Sequence, residues 1–222
     1  MNVTVDSAIT ELVPTFKIGV IHYEGIQVGK SPQMLRGRLQ LFQESIFFDL
    51  EEKPVTAFPG IQEWRQLFKT FGKDPNRYRH SAEALYRRIK KQNYLTSVNS
   101  TIDVNNFFSL KYETPIGIYD KDHIKGDVIL RIGKDGEEYI GLNGRSNSLD
   151  GLLVSCDALG PFGSPFVDSD RTPVTETTTS ALQIIYLRPS LSKEESEKLT
   201  KSLMDMFLQI HGGTGTFEVI GK

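Results

Sequence analysis

Residues 98–120, VNSTIDVNNFFSLKYETPIGIYD, interleave polar side chains with a run of apolar ones. The polar members are Asn99, Asp103, Asn105 and Asn106. An amide beside apolar neighbours must satisfy its donors and acceptors, so it either caps a helix or faces a pocket and holds a ligand. In the first interpretation Asp103 or Asn105 caps a short helix through Phe108. In the second the segment is part of a binding site, and these residues alone leave both interpretations open.

Helix patterns dominate the chain before this segment. Ser31 and Pro32 are typical of an N-cap followed by proline at the first helical position. The apolar residues predicted to share one face of that helix are Met34, Leu35, Leu39 and Phe42. Further helices are predicted over 61–71 and over about 81–91, where apolar residues recur at helical spacing. Residues 15–26, FKIGVIHYEGIQ, precede them and predict a half-buried strand.

Short strand patterns separated by Gly and Asp dominate after residue 98. They are VILRI (128–132), LLVSC (152–156) and LQIIYL (182–187). Near the end, Ser192 and Glu195 form a capping box that begins a helix over 192–211, and FEVI then predicts a last strand. No repeat, low-complexity tract or Pro/Ser-rich linker divides the chain. We therefore expect one α+β domain over residues 1–222.

Composition narrows the classes of function. A hydrophobic fraction of 38% and a charged fraction of 24% indicate a folded chain, and a net charge of −2 excludes a globally basic nucleic-acid binder. The one cysteine, Cys156, cannot form an intramolecular disulfide, which favours a reducing compartment. The N-terminus lacks the pattern of a signal peptide, and no apolar run approaches the ~20 residues that span a bilayer. We expect a cytoplasmic protein without a membrane partner.

Several motifs recur in an order that is known from one family. VNSTIDVNNF (98–107), TPIGIYD (114–120) and IKGDVILRIG (124–133) are followed by Glu137-Glu138, and then by the motifs LNGRSNSLDGLLVSCD (142–157) and GPFGSPFVDSDRTPVTETT (160–178). This ordered set resembles the B3/4 domain of the bacterial phenylalanyl-tRNA synthetase beta subunit over about residues 60–190. The resemblance implies a three-layer β/β/α fold with mixed sheets flanked by helices. Residues 1–58 and the helix over 192–211 would pack on that motif-bearing core.

The resemblance also implies an activity and a set of site residues. In the synthetase this domain hydrolyses tyrosine wrongly esterified to the tRNA for phenylalanine. By position, Asn106 matches the pocket asparagine, Asn105 its neighbouring threonine, and Glu176 a glutamate on the pocket strand. Asn106 and Glu176 are therefore the candidate catalytic residues, although a carboxylate of an edge strand in solvent is the alternative for Glu176. The threonines around Glu176 are typical of a strand.

The glycine-rich segment and one glycine nearby complete the predicted substrate site. Gly160, Phe162 and Gly163 match the loop that approaches the substrate, although Gly-Pro-Phe-Gly is also typical of an ordinary turn. Gly117 stands where the family has its pocket histidine. Loss of that side chain should enlarge the pocket and alter its polar lining, so we expect a substrate other than tyrosine. Hydrolysis without the imidazole would rely on a positioned water and the neighbouring ribose hydroxyl.

A basic stretch over 73–91 offers a surface for RNA. The predicted RNA-binding residues are Arg77, Arg79, Arg87 and Arg88. Basic side chains near Tyr78 and Tyr86 suit an RNA backbone with splayed bases, while a solvated helix face is the alternative. Asp168-Ser169-Asp170 is typical of a turn rather than a metal site, because no further ligands stand at suitable spacing. No metal or cofactor is expected.

The resemblance to the B3/4 domain implies an aminoacyl-tRNA deacylase, which we expect to act in trans on the acylated 3′ end of tRNA. The chain lacks a phosphate-binding loop, so it is not expected to be an ATP-dependent ligase. Two alternatives remain. One is a non-catalytic module that binds tRNA or another RNA, and the other is a protein that binds or hydrolyses small amino-acid derivatives.

Overall fold

A computed structural model describes residues 1–221. The helices are α1 (Ser7–Leu12), α2 (Gln33–Glu52), α3 (Pro59–Thr70), α4 (Ser81–Lys90), α5 (Ser100–Tyr112) and α6 (Lys193–His211). The strands are β1 (Val3–Val5), β2 (Lys17–Glu24), β3 (Ile116–Asp120), β4 (Val128–Ile132), β5 (Glu138–Ile140), β6 (Ser146–Ser148), β7 (Leu153–Asp157), β8 (Gly160–Gly163), β9 (Ser180–Tyr186) and β10 (Thr214–Gly221). None of these helices is long and apolar enough to cross a membrane.

The strands form two four-stranded sheets and a β5–β6 hairpin. The first sheet has the order β1-β4-β7-β8 and is mixed, because β1 runs parallel to β4 while the other pairs are antiparallel. The second sheet has the order β10-β2-β9-β3 and is antiparallel. The segment before residue 58 thus supplies an edge strand to one sheet and an inner strand to the other.

The two sheets pack face to face through every second residue of β2 and β9. Ile18 and Val20 of β2, with Leu182, Ile184 and Tyr186 of β9, enter an apolar layer shared with β4, β7 and β8 of the first sheet. Side chains of a strand alternate between its faces, so the remaining residues of β2 and β9 point to the opposite side. The predicted half-buried strand is therefore wrong in one respect, since β2 is buried on both faces.

The opposite face of the second sheet is covered by α5 and α6. Ile21 and Tyr23 of β2 pack there with Val104 of α5 and Phe207 of α6, and the rings of Tyr23 and Phe207 stack with centroids 4.1 Å apart. First sheet, second sheet and helices form the three layers β/β/α that the motifs imply. The α+β fold class with mixed sheets flanked by helices is confirmed.

Helices α2, α3 and α4 share a separate apolar cluster beside these layers. The predicted helices over 61–71 and 81–91 correspond to α3 and α4, and the capping box of Ser192 and Glu195 begins α6. The start of α2 differs from the prediction. Ser31 does not cap α2, because its hydroxyl donates to Asp103 at 2.5 Å, and Met34 lies on the exposed side of the helix.

The polar residues of the 98–120 segment mostly hold the chain together. Asn99, rather than Asp103 or Asn105, caps α5 by accepting the Ile102 N–H at 3.0 Å. The carboxylate of Asp103 is buried and accepts from the hydroxyls of Ser31 and Ser97 and from the Val98 N–H. These contacts fasten the start of α5 to the segments before α2 and before α5 itself.

Candidate functional site

Two of the predicted site glycines meet at the side chain of Tyr119, between the sheets. Tyr119 points from β3 toward β8, where its ring meets Phe162 edge to face with centroids 4.9 Å apart. A Cβ added at Gly117 would lie 2.0 Å from the Tyr119 hydroxyl oxygen, and one added at Gly163 would lie 2.3 Å from it. Both glycines are therefore needed as space for this one phenol.

This packing overturns the expectation that Gly117 enlarges a pocket. The volume that a larger residue at position 117 would require is occupied by the Tyr119 hydroxyl and ring. The segment Gly160–Gly163 is also a strand, β8, rather than a loop, and it pairs with β7 through a bulge. Phe162 is completely buried in the layer between the sheets, where it serves as a core residue.

The sequence pattern did not identify Asp168, which binds the Tyr119 hydroxyl. Tyr119 Oη donates to Asp168 Oδ1 at 2.9 Å, and the Ser164 N–H donates to the same oxygen at 3.2 Å. Burial raises the pKa of the Asp168 carboxyl to about 7, against the lowering effect of these two hydrogen bonds. Such a group can exchange a proton near neutral pH. Asp168 is recognised as a candidate only because Tyr119 of β3 contacts it in the folded structure.

Asn105 and Asn106 lie in the other layer, on α5. The Asn105 amide donates to the Ile116 carbonyl at 2.8 Å and accepts from Gln183 Nε2 at 2.7 Å, and Gln183 in turn accepts from the Tyr23 hydroxyl. Its hydrogen-bonding capacity is thus largely used within the protein. The half-buried Asn106 amide has no hydrogen bond to any residue within 1–221, so it remains available to a ligand.

Glu176 is exposed in a turn that precedes β9, not on a strand. The neighbouring threonine hydroxyls bind the turn instead of extending a ladder. Thr178 Oγ1 accepts the Thr175 N–H at 3.0 Å and donates to Asp120 Oδ2 at 2.5 Å. Asp120 ends β3, whereas Asn105 contacts Ile116 at its start. The structure therefore does not bring Glu176 beside the asparagines, since four residue steps along β3 separate the two contacts by roughly 13 Å.

The predicted RNA-binding arginines divide into two kinds. Arg77, Arg79 and Arg88 are exposed. Arg87 is held by Glu83, a fully buried carboxylate that accepts from Arg87 Nε at 2.8 Å and from Arg65 at 2.9 Å. Removing one partner of a buried ion pair leaves an uncompensated charge. Arg87 therefore stabilises α4, and the exposed arginines are the better candidates for contacts with phosphates.

One further constellation has the hydrogen bonds of a nucleophile and its base. His211 Nε2 lies 2.8 Å from Ser100 Oγ, and its Nδ1 lies 2.8 Å from the Phe207 carbonyl. Both residues are buried at the junction of α5 and α6, so Ser100 is closed to a substrate. The contact fastens the end of α6 to the start of α5.

Two cavities lie away from the predicted site. One, of about 580 Å³, lies between the edge strands β1 and β10 and is lined by residues that include Val3, Glu218 and Ile220. Another, of about 410 Å³, lies beside the ends of α5 and α6 at Tyr112 and Arg188. Neither is lined by a residue of the predicted pocket.

Comparisons with known proteins agree with the motif order. The B3/4 domain family model matches residues 63–203. An uncharacterized protein of Bacillus subtilis, YhzB, is 36% identical over 216 residues, which cover 97% of this chain and 98% of that protein. The phenylalanine–tRNA ligase beta subunit of Paramagnetospirillum magneticum is 31% identical over 108 residues, which cover 47% of this chain but only 14% of that subunit.

One solved structure resembles this chain at lower sequence identity. A crystal structure of an N-terminal fragment of the phenylalanyl-tRNA synthetase beta subunit from Pyrococcus horikoshii superimposes with a TM-score of 0.48. The two chains are 16% identical, and the alignment covers 96% of this chain and 50% of that fragment.

Substitution of Gly117 by Ala tests the packing of Tyr119. The added methyl group cannot be accommodated without displacing the phenol, so we expect a loss of about 1–3 kcal/mol in the free energy of unfolding. Urea unfolding of Gly117→Ala and of the wild type measures this loss of stability. Gly29→Ala is the matched control, because a Cβ at that position meets nothing within 4 Å. Equal stability of the two variants would contradict the assigned role of Gly117.

Substitution of Asp168 by Asn tests the raised pKa of this half-buried carboxyl. An unfolded chain ionises aspartate near pH ~4, whereas the folded pKa is about 7, so folding takes up a proton between these values. The contribution of Asp168 to stability is full below pH ~4 and is lost as the pH rises to about 7. The free energy of unfolding of Asp168→Asn minus that of the wild type should therefore rise between pH ~4 and about 7. Above that pH the difference should stay constant.

Urea unfolding at each pH from 4 to 8 measures the difference. Asp170→Asn removes an exposed carboxylate from the same segment without touching Tyr119 and serves as the control. A pH-independent difference between Asp168→Asn and the wild type would refute a raised pKa at this carboxyl.

Proposed function

Because the chain belongs to the B3/4 domain family, we propose that it is an editing-type hydrolase that deacylates mischarged tRNA in trans. The observation that carries the proposal is the B3/4 family match over residues 63–203. The chain spans only 14% of the synthetase subunit from Paramagnetospirillum magneticum. The match to YhzB covers 98% of that protein, which supports action in trans as part of the proposal.

The reaction is the hydrolysis of an aminoacyl ester. Water adds to the ester carbonyl, the bond from that carbon to the ribose oxygen breaks, and the oxygen leaves with a proton. The protein has to place the water and stabilise the oxyanion, while the neighbouring ribose hydroxyl assists. The Asn106 amide has no hydrogen bond within residues 1–221 and could donate to the oxyanion, but it lies on α5, in a different layer from Asp168 and away from the turn of Glu176. Asn106 and the carboxylates are therefore alternative candidates rather than parts of one assembled site.

Two carboxylates are candidates for the group that activates the water. Glu176 has the family match by position, and its exposure in a turn leaves it free to contact a bound tRNA. Asp168 has the support of geometry. It lies beside Gly163, its pKa of about 7 suits a general base, and its Oδ2 accepts no hydrogen bond from residues 1–221.

A non-catalytic module that binds tRNA is the second candidate function. The observation that favours it is the position of Tyr119, which fills the space between Gly117 and Gly163 where a substrate pocket was expected. In that case the exposed arginines at and before α4 would retain the RNA while no ester is cleaved. The two candidates share the partner and differ only in the chemistry.

Release of amino acid from a panel of cognate and mischarged aminoacyl-tRNAs tests the hydrolase. We expect at least one mischarged pair to lose its amino acid faster with the protein than in buffer. Asn106→Ala should lower that rate about 100- to 1,000-fold if Asn106 donates to the oxyanion, because one removed donor of this kind costs roughly that much. Glu176→Gln and Asp168→Asn then identify the base, since only the true base abolishes the rate.

The pH profile distinguishes the two carboxylates further. Reaction through Asp168 should accelerate as the pH rises through about 7, where that carboxyl loses its proton. If the protein binds tRNA but deacylates none of the pairs, the hydrolase is rejected in favour of the non-catalytic binding module. If the protein neither binds tRNA nor deacylates it, small amino-acid derivatives are left as the class of ligand.

Binding of tRNA at several salt concentrations tests the arginine surface. Each lost phosphate contact should reduce the slope of log affinity against log salt by roughly one. We expect Arg77→Gln, Arg79→Gln and Arg88→Gln each to do so without loss of stability. Lys193→Gln, an exposed cation at the start of α6, is the control. Unchanged slopes in all three arginine variants would show that this surface does not contact RNA.

A further inference from the structure

Helix α2 carries apolar side chains on two opposite faces. Its inward face, which includes Leu39, Ile46 and Leu50, is buried in the apolar cluster shared with α3 and α4. Its outward face carries three more large apolar residues. Met34, Leu41 and Phe48 are 51%, 69% and 64% exposed. Single exposed apolar residues are ordinary, but a row of them on one helix marks a surface for association.

The three exposed residues form one straight row, because they are spaced by seven. Positions seven apart are separated by about 10 Å along a helix and drift by only ~20° around it. Two such steps place Met34, Leu41 and Phe48 along about 21 Å of the 20-residue helix α2, which is about 30 Å long. The row lies opposite the buried residues, so another protein surface can cover it without displacing the existing core.

The chemistry of this row is symmetric about Leu41. Met34 and Phe48 lie at equal distances on either side of it, and both are large and apolar. Gly37 and Ser45 also lie at equal distances, and both are small enough to let a facing backbone approach closely. When two copies of a helix pack antiparallel around a two-fold axis at Leu41, each of these residues meets its counterpart. Large residues would then contact large ones, and small residues would contact small ones.

The charges along the row favour the same arrangement. Arg38 lies in the N-terminal half of α2, and Lys30 precedes the helix, while Glu44, Glu51 and Glu52 lie in the C-terminal half. An antiparallel pair places the basic end of one copy against the acidic end of the other. A parallel pair would bring like charges together, which is unfavourable.

We propose that the outward face of α2 is a self-association surface, on which a second copy of this chain packs its own α2 antiparallel around Leu41. The occupant is a second copy because the row is complementary to itself in size and in charge, which a site for an unrelated partner has no need to be. The proposal is independent of the proposed activity, since neither α4 nor the Tyr119 contact takes part.

Sedimentation equilibrium of the full chain tests whether the pair forms. We expect a concentration-dependent dimer, and we expect Leu41→Glu to weaken association about 100-fold or more, because two like charges would face each other on the axis. Leu159→Glu is the matched control, since Leu159 is 66% exposed in the turn between β7 and β8. A wild type that is monomeric at every concentration overturns the proposal, as does a dimer that Leu41→Glu leaves intact.

Disulfide cross-linking tests the direction of the helices. Met34→Cys mixed with Phe48→Cys should cross-link under mild oxidation, whereas Met34→Cys alone should not, because its two copies would lie about 21 Å apart. Leu41→Cys should cross-link to itself. The native Cys156 is buried, so the unsubstituted chain is the blank. Self-cross-linking of Met34→Cys without the mixed product would indicate a parallel pair and overturn the proposal.

Discussion

The side chain of Tyr119 between the two sheets is the contact on which the rest of the candidate site depends. It crosses from β3 to β8, and it requires glycine both on its own strand at position 117 and on the facing strand at position 163. Its hydroxyl binds Asp168 in the segment that follows β8. One phenol therefore requires glycine at two positions and provides a hydrogen bond to the half-buried carboxyl of Asp168.

Burial of the second sheet on both faces decides which residues can act together. Residues of β3 and β9 that face the first sheet share a layer with Tyr119, and those that face the helices share a layer with Asn105 and Gln183. Motif residues close in sequence are therefore separated by a sheet. Asn106 and Gly117 come from one continuous stretch of sequence, yet they serve different layers.

Membership of the B3/4 family and the chemistry of this chain are separate conclusions. The family rests on motif order and on matches over most of the chain, whereas hydrolysis rests on a few side chains. Within this chain, the space that larger side chains at positions 117 and 163 would need is occupied by the Tyr119 phenol.

The sequence by itself determined the α+β class, the helices α3, α4 and α6, the strands β4, β7 and β9, and the family, because spacing, caps and motif order are local properties. Only the tertiary structure decided that Asn99 caps α5, that Glu176 lies in a turn and that Arg87 neutralises Glu83. It also decided that Met34 faces outward and that Asp168 lies beside Tyr119. The complete burial of Glu83, the outward direction of Met34 and the contact of Asp168 with Tyr119 depend on elements distant in sequence, and Asp103 is bound by the distant Ser31 while Asn99 caps α5. Such tertiary contacts leave no periodic signal along the chain.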